Sequence, residues 1–422
     1  FYQYKRSIMN KLRTVRGVHD LLPEALNKHN LVINTGLNIS DKYCYNQINT
    51  PIFEFAEVFT KPLGKTSDIV TKENYTFEDK SGDLLMLRPE GTSGVVRAFL
   101  NAGLTQDIPQ RFSYFGPMFR YERPQKGRLR QFNQFGIELI GLSDSMADIE
   151  VISIAYEFLK QLKLEDKIYL HINSLGDLDS RLNYRKVLVD YLNDFKNDLS
   201  DDSRKRLKEN PLRILDSKSP ADQNILINAP NVLNYLNKKS KERFEKVCEG
   251  LSCLNISYKI DKNLVRGLDY YCHTAFEFIT NELGAQGTVL AGGRYDGLSE
   301  TLGGVIMPGV GWAAGIERLA LMTSVEYKNS PDLVLMGVSE EFNLYLLPIM
   351  SQLVNSGIKT EILYIGNVSK KFKRADKINA SFAIIIGQNE VAKNTVQLKN
   401  LKSGSQDEIQ LDEAINNIKK LL

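Results

Sequence analysis

Cysteine, histidine and tryptophan are scarce: four, four and one among 422 residues. Cys44, Cys248, Cys253 and Cys272 form no Cys-x-x-Cys pair, and His19, His29, His171 and His273 show no metal-ligand spacing. A structural zinc site and a disulfide scaffold are therefore not expected. His19 and His273 receive no role, since a lone histidine usually serves structure. Free thiols suit a reducing cytoplasm, which is the expected location. No apolar run approaches ~18 residues, so no membrane span or membrane partner is expected. The N-terminal stretch FYQYKRSIMNKLRT lacks the apolar core of a secretory signal. Met9 is a candidate initiator, with residues 1–8 then a leader. One sign of charge does not dominate either: 54 basic and 51 acidic residues give +3, too balanced to announce nucleic-acid binding by bulk charge.

What remains is ordinary for a folded chain of two or three domains, with 42% hydrophobic and 25% charged residues. Residues 1 to about 45 read as helical, punctuated by Arg16-Gly17-Val18. Gln47–Phe53 reads as an edge strand interrupted by Pro51. Asp83–Arg88, Arg111–Glu122 and Gln131–Gly141 read as strands, the last two forming a hairpin around Arg123–Arg130. Residues 165–260 are helix-rich, with no glycine between Gly176 and Gly250, and suggest an inserted subdomain or a long helical excursion. Strands return at Tyr271–Thr280 and Thr288–Ala291, then a glycine-rich stretch from Gly292 to Gly315 leads into a helix to about Met322. Trp312 is expected to pack this helix on a sheet. Tyr327–Pro331 reads as a linker, followed by alternating strands and helices that argue a separate α/β domain with parallel strands.

Two motifs mislead. Gly64-Lys65-Thr66 resembles the end of a phosphate loop, but the first glycine such a loop needs would sit at Phe59. Gly309-x-Gly311-x-x-Ala314 matches a loose dinucleotide fingerprint, yet it follows Pro308 rather than a buried strand. Close helix–sheet packing is the plainer reading of those glycines.

The hairpin carries the chemistry. Residues two apart on a strand share a face. Arg120 and Glu122 therefore project together, with Met118 behind them. Gln134, Gly136 and Glu138 share one face of the return strand, and Phe135, Ile137 and Leu139 the other. The first face makes a hydrogen-bonding floor with a glycine leaving room above it. Between residues 111 and 130 lie six basic residues and one acidic residue. A solvent-exposed face with incidental ion pairs is the competing explanation. Three further segments add to the set: Leu87–Thr92 with Glu90 and Thr92, Leu264–Tyr271 with Arg266, Tyr270 and Tyr271, and Gly315–Arg318. Arginine donates two hydrogen bonds at once to phosphate. Several arginines and carboxylates without a Ser/His/Asp pattern suggest a site that handles a polyphosphate by charge.

These residues resemble a known family. Phe119-Arg120-Tyr121-Glu122 is similar to the second signature of class II aminoacyl-tRNA synthetases, Gly309–Arg318 to the third, and the segment around Pro51 to the first. RGVHDLLP (16–23), RPEGT (88–92), GPMFRYERPQKGRLRQFNQFGIELIG (116–141), LVRGLDYY (264–271) and GGRYDGL (292–298) resemble the histidyl-tRNA synthetases. INSLGDLDSRLNYR (172–185) and NPLRILDSK (210–218) resemble their bacterial type, and the likeness runs from about residue 13 to the end. Val18-His19 stands where the family usually has Thr-Gln or a similar pair.

The resemblance implies an α+β catalytic domain over 1–326 with an antiparallel six-stranded sheet and a helical insertion at about 172–260, and a C-terminal α/β anticodon-binding domain over 331–422. It implies a homodimer joined at the first signature, a histidine–tRNA ligase activity, and L-histidine, tRNA(His) and ATP with Mg2+ as substrates, with no tightly bound cofactor. Arg120 and Arg266 are the expected catalytic residues. Arg120, Glu122, Arg128 and Arg318 would bind ATP. Glu90, Thr92 and Gln134 would take the α-amino group of histidine, and Glu138 and Tyr271 the imidazole. Tyr270 belongs either to this pocket or to packing beneath the sheet. Arg123 and Gln125 are candidates for the acceptor end of tRNA, or merely a solvated loop. Lys370, Lys371, Lys373 and Arg374 are candidates for a phosphate patch beside the anticodon, or a solvated helix face. A competing family on the same fold is the regulatory subunit of ATP phosphoribosyltransferase, which typically lacks the C-terminal domain and parts of the arginine set. A tRNA-sensing synthetase-like domain would come attached to a kinase, whose motifs are missing from this sequence.

Overall fold

The computed structural model describes residues 12–64, 67–268, 270–284, 287–325 and 330–421. The leader reading at residues 1–8, Lys65-Thr66 of the phosphate-loop look-alike and positions 327–329 of the linker lie outside the described residues. The chain divides into two compact units, Phe1–Val325 and Glu326–Leu422.

The first unit contains β1 (Asn46–Gln47), β2 (Phe53–Phe55), β3 (Thr76–Glu78), β4 (Leu84–Leu87), β5 (Gln110–Phe119), β6 (Gln131–Ile140), β7 (Tyr169–Ser174), β8 (Tyr258–Ile260), β9 (Cys272–Ile279), β10 (Thr288–Arg294) and β11 (Gly309–Gly315). One sheet has the order β1-β5-β6-β11-β10-β9-β7-β8, and β2-β4-β3 form a small second sheet. The six strands from β5 to β7 pair antiparallel throughout. The expected six-stranded sheet is therefore the centre of an eight-stranded one. The short β1 and β8 extend its two edges in parallel, a mixed ending that short edge strands tolerate.

Two sequence expectations change here. Pro51 does not interrupt one edge strand; it lies between β1 and β2, which belong to different sheets. Proline has no N–H for a ladder, so the chain changes sheet there. Gly309 and Gly311 lie in β11 and do not seat a helix. A Cβ on Gly311 would stand 1.8 Å from a Glu138 carboxylate oxygen, and one on Gly309 would stand 2.2 Å from the Tyr295 ring. These glycines admit two buried side chains beside the strand.

One face of the sheet carries Phe135, Ile137 and Leu139 into a core shared with Val151, Ile154 and Phe158 of the helix Ser145–Gln161. Trp312 stacks on Phe158 at 5.7 Å, and its indole N–H donates to the Val151 carbonyl at 3.0 Å. It thus pins that helix, rather than the one after β11, to the sheet. The Arg294–Asp148 pair is fully buried at this layer, with Arg243 on the same carboxylate. The other face packs Met118, Tyr114, Tyr270, Tyr271 and Tyr295 and opens into the cleft described below.

Between β7 and β8 stand the helices Leu178–Asp194, Asp201–Glu209, Pro220–Leu226 and Lys238–Cys253. The first three build a small core of their own around Tyr184, Leu188, Ile214 and Leu226. The buried Asp222 carboxylate ties it by accepting from the Ser200, Ser203 and Ser217 hydroxyls at 2.5–2.7 Å. The helix Lys238–Cys253 instead sends Phe244, Val247 and Leu251 into the main core.

The second unit contains β12 (Leu333–Gly337), β13 (Thr360–Ile362), β14 (Phe382–Ile386), β15 (Thr395–Asn400) and β16 (Gln406–Gln410), ordered β13-β12-β14-β15-β16. The first three are parallel, as the alternating pattern suggests, and β15 and β16 add antiparallel. Both faces are covered, with Leu346, Leu353 and Ile418 on one side and Ala375 and Phe372 on the other. That is why β12 and β14 read as continuous apolar runs.

Candidate active site

The cleft lies over β6, β10 and β11 and has a volume of about 290 Å³, near the lower end for a small-molecule site. Glu90, Thr92, Arg120, Glu122, Arg128, Gln134, Arg266, Tyr270, Tyr271 and Arg318 all line it. Five separate chain segments deliver these side chains. Glu90 precedes the helix Thr92–Asn101, Arg120 to Arg128 follow β5, Gln134 stands on β6, Arg266 to Tyr271 precede β9, and Arg318 is on the helix Ile316–Met322. The strand expected to reach Glu122 ends at Phe119. Arg120 and Glu122 nevertheless both face the cleft from the following loop.

Four guanidinium groups converge. The Arg120 Nε–H donates to the Pro89 carbonyl at 2.9 Å, and the group lies over the Phe132 ring at 5.2 Å. Arg128 pairs with Glu122, and with Glu73 at 3.8 Å. Arg318 donates to the carbonyls of Gly127, at 3.0 Å, and Thr288. Arg266 donates to Glu277 at 2.5 Å and lies over the Tyr271 ring at 5.0 Å. Burial, and then the neighbouring Arg128 and Arg120, hold Arg318 below the usual arginine range. Burial likewise lowers Arg120, with Arg266 adding to the effect. Cations that repel one another in a half-buried cleft make a site for a multivalent anion.

The same cleft holds a set of acceptors. The buried Glu90 carboxylate accepts from the backbone N–H groups of Thr92 and Ser93 at 2.6 and 2.9 Å. The Gln134 side-chain oxygen is buried and, among the described residues, has no hydrogen-bond partner; the Tyr270 hydroxyl is the same. An unsatisfied buried acceptor raises the free energy of the empty site and is relieved by a donor on a ligand.

The structure corrects the reading of the floor. Glu138 does not line the cleft: it is 0% exposed, one layer below. Its carboxylate accepts from the hydroxyls of Thr92 at 2.7 Å, Tyr114 at 3.3 Å and Tyr295 at 2.5 Å. Burial pushes it up to about 8, against the lowering effect of those donors. The room above Gly136 is also taken: a Cβ there would meet the Tyr114 hydroxyl at 2.5 Å. Tyr114 and Tyr295 are the residues that a strand-by-strand reading passes over, because nothing in their local sequence distinguishes them from core tyrosines.

A histidyl-tRNA synthetase family model matches residues 17–319. The chain belongs to the histidyl-tRNA synthetase family. An anticodon binding domain model matches residues 332–421. The histidine–tRNA ligase of Rhodospirillum rubrum is 49% identical over 404 residues, covering 96% of this chain and 97% of that protein. The histidine–tRNA ligase of Gluconacetobacter diazotrophicus is 46% identical over 404 residues, with the same coverage. The crystal structure of the apo histidyl-tRNA synthetase of S. aureus superposes with a TM-score of 0.81 at 34% identity, covering 97% of this chain and all of that one (100%).

Outside the synthetase cleft, Arg123 and Gln125 are exposed at the hairpin tip. In the anticodon-binding unit Lys370, Lys373 and Arg374 are exposed, and Arg374 faces Glu361 at 3.5 Å. Lys371 is not part of that surface. It is 1% exposed, and its ammonium donates to the Gly337 carbonyl at 2.9 Å. The lysine run hides an inward residue because helix periodicity turns every fourth position back toward the sheet. Cys272, His273 and Asp296 bring donor atoms within 4.8 Å of one another, a cluster whose wide sequence separation hides it. Asp296 is already paired with Arg294 at 3.0 Å. Among the described residues no helix is long and apolar enough to cross a membrane.

Proposed function

We propose that this chain joins histidine to tRNA(His) in two steps: ATP activates histidine to histidyl-adenylate with release of pyrophosphate, then the terminal ribose of tRNA takes the acyl group. The observation that carries this reading is the cleft itself, lined by four guanidinium groups together with the unpaired buried Gln134 acceptor. Charging of tRNA(His) with radiolabelled histidine tests it. Acid-stable labelled tRNA is expected, and a folded chain that charges none would overturn the reading.

In the first step the histidine carboxylate attacks the α-phosphorus and the bond to pyrophosphate breaks. Negative charge grows on the α-phosphate oxygens, so fixed cations carry the catalysis. Arg120 contacts the α-phosphate, with Glu122 near the adenine amino group. Arg128 and Arg318 hold the β/γ end, and magnesium arrives as part of the ATP substrate. Arg266 bridges the carboxylate and the α-phosphate, positioning both reactants. Glu90, Thr92 and Gln134 accept from the ammonium; the Thr92 oxygen keeps a lone pair after donating to Glu138. Tyr271 faces the imidazole, which offers one donor and one acceptor nitrogen, and Glu138 supports the pocket from the layer below by accepting from the Thr92 hydroxyl. Tyr270 completes that wall, supported by its buried, unpartnered hydroxyl.

The domain reading follows the same lines: catalysis in 1–326, helical insertion at about 172–260 against tRNA, and anticodon binding in 331–422. Arg123 and Gln125 meet the acceptor end, and Lys370, Lys373 and Arg374 the anticodon arm. We place the enzyme in the cytoplasm as a homodimer. Exposed Phe53, Phe55 and Phe77 on the small sheet beyond Pro51 support a second copy there.

A further inference from the structure

The carboxylate of Glu277 links two of the four cleft cations. Glu277 stands on β9, held in register by Ala291 on β10 and His171 on β7. One oxygen accepts from Arg266 at 2.5 Å, and the other accepts from the Thr288 hydroxyl at 2.8 Å. The Thr288 carbonyl in turn accepts from Arg318. Arg266 sits in the non-regular stretch before β9, so no sheet ladder fixes its backbone. Its Nε is buried and has no hydrogen-bond partner among the described residues. Its orientation therefore depends on Glu277 and on the Tyr271 ring.

We infer that Glu277 is a positioning residue that aims Arg266 at the reacting carboxylate and α-phosphate, and that Thr288 extends the same constraint to Arg318. The inference rests on the functional reading above. A side chain on a central strand is a firmer support than one on a loop, and a reacting group displaced by an ångström loses rate steeply. Glu277 itself touches no substrate in this scheme.

The test is ATP–pyrophosphate exchange with histidine, using the full chain and its variants Glu277→Ala, Glu277→Gln and Thr288→Val. Glu277→Ala is expected to lower kcat about 100-fold, with KM for histidine and for ATP moving by less than about threefold. Glu277→Gln keeps an oxygen toward Arg266 and should recover about tenfold of that loss. Thr288→Val removes a donor to Glu277 but keeps the carbonyl that Arg318 uses, so it should lower kcat less than Glu277→Ala does and leave the KM for ATP unchanged. Adding Glu277→Ala to Arg266→Ala should cause no further loss, because both remove one device. If the alanine variant does not fold by circular dichroism, Glu277→Gln decides alone: a lowered kcat at unchanged KM supports the inference, and a wild-type kcat overturns it. A wild-type rate in folded Glu277→Ala, or multiplying losses in the double variant, also overturns it. A wild-type chain that exchanges with no amino acid overturns the functional reading instead.

Discussion

Replacing Glu138 by glutamine removes a titration while keeping the shape. Burial pushes this carboxyl up to about 8, whereas a glutamate in an unfolded chain ionises near ~4.3. Between those two values the folded chain keeps a proton that the unfolded chain has released. The stability from this group is thus fully present below the unfolded value and is lost as pH rises toward the folded one. The slope is about 1.4 kcal/mol per pH unit, so about 3 kcal/mol disappears between pH 5.5 and 7.5. Glutamine stays neutral and lacks the slope. Urea unfolding of both chains, followed through the single tryptophan, measures it, since Trp312 is packed in the same unit against Phe158. The wild type should lose about 3 kcal/mol relative to Glu138→Gln across that range. Parallel pH curves for the two chains would refute the argument that Glu138 is held neutral by burial.

Other expectations follow from individual contacts. Arg266→Ala should lower adenylate formation by about 10²–10³-fold while circular dichroism stays unchanged; a retained exchange rate would remove it from the reaction. Gln134→Ala should weaken histidine binding about tenfold with ATP binding unaltered, read by calorimetry, since it deletes one acceptor worth about a hydrogen bond. Arg294→Ala strips the partner from the fully buried Asp148, and should destabilise the first unit by about 3–5 kcal/mol. Wild-type urea stability in that variant would show that Arg243 satisfies Asp148 alone. Lys370→Glu should weaken tRNA binding more than Lys371→Met, because only Lys370 is exposed; equal losses in a filter-binding assay would contradict that division.

Local pattern carried much of this far. The hairpin, its apolar face of Phe135, Ile137 and Leu139, and the pairing of Gln134 opposite Gly116 follow from alternation and turn chemistry. Ten of the proposed site residues fall on one cleft because all but Gln134, which points up from β6, lie near the end of an element or in the loop beside it. What sequence hid was depth and long-range company. Alternation places Glu138 on the same face as Gln134, but only the packing of Tyr114 and Tyr295 shows that the layer above it is filled. Glu277 reads as the one carboxylate of its strand, and its partners are reached only through tertiary folding. The two edge strands were short enough that their pairing depends on neighbours rather than on their own residues.

The most direct measurement is ATP–pyrophosphate exchange with each of the twenty amino acids in turn. Exchange with histidine alone is the expected result, since it requires the arginine cluster and the acceptor pocket to act on one substrate. A folded chain that exchanges with none, or equally well with an amino acid lacking the imidazole nitrogens, would contradict the account.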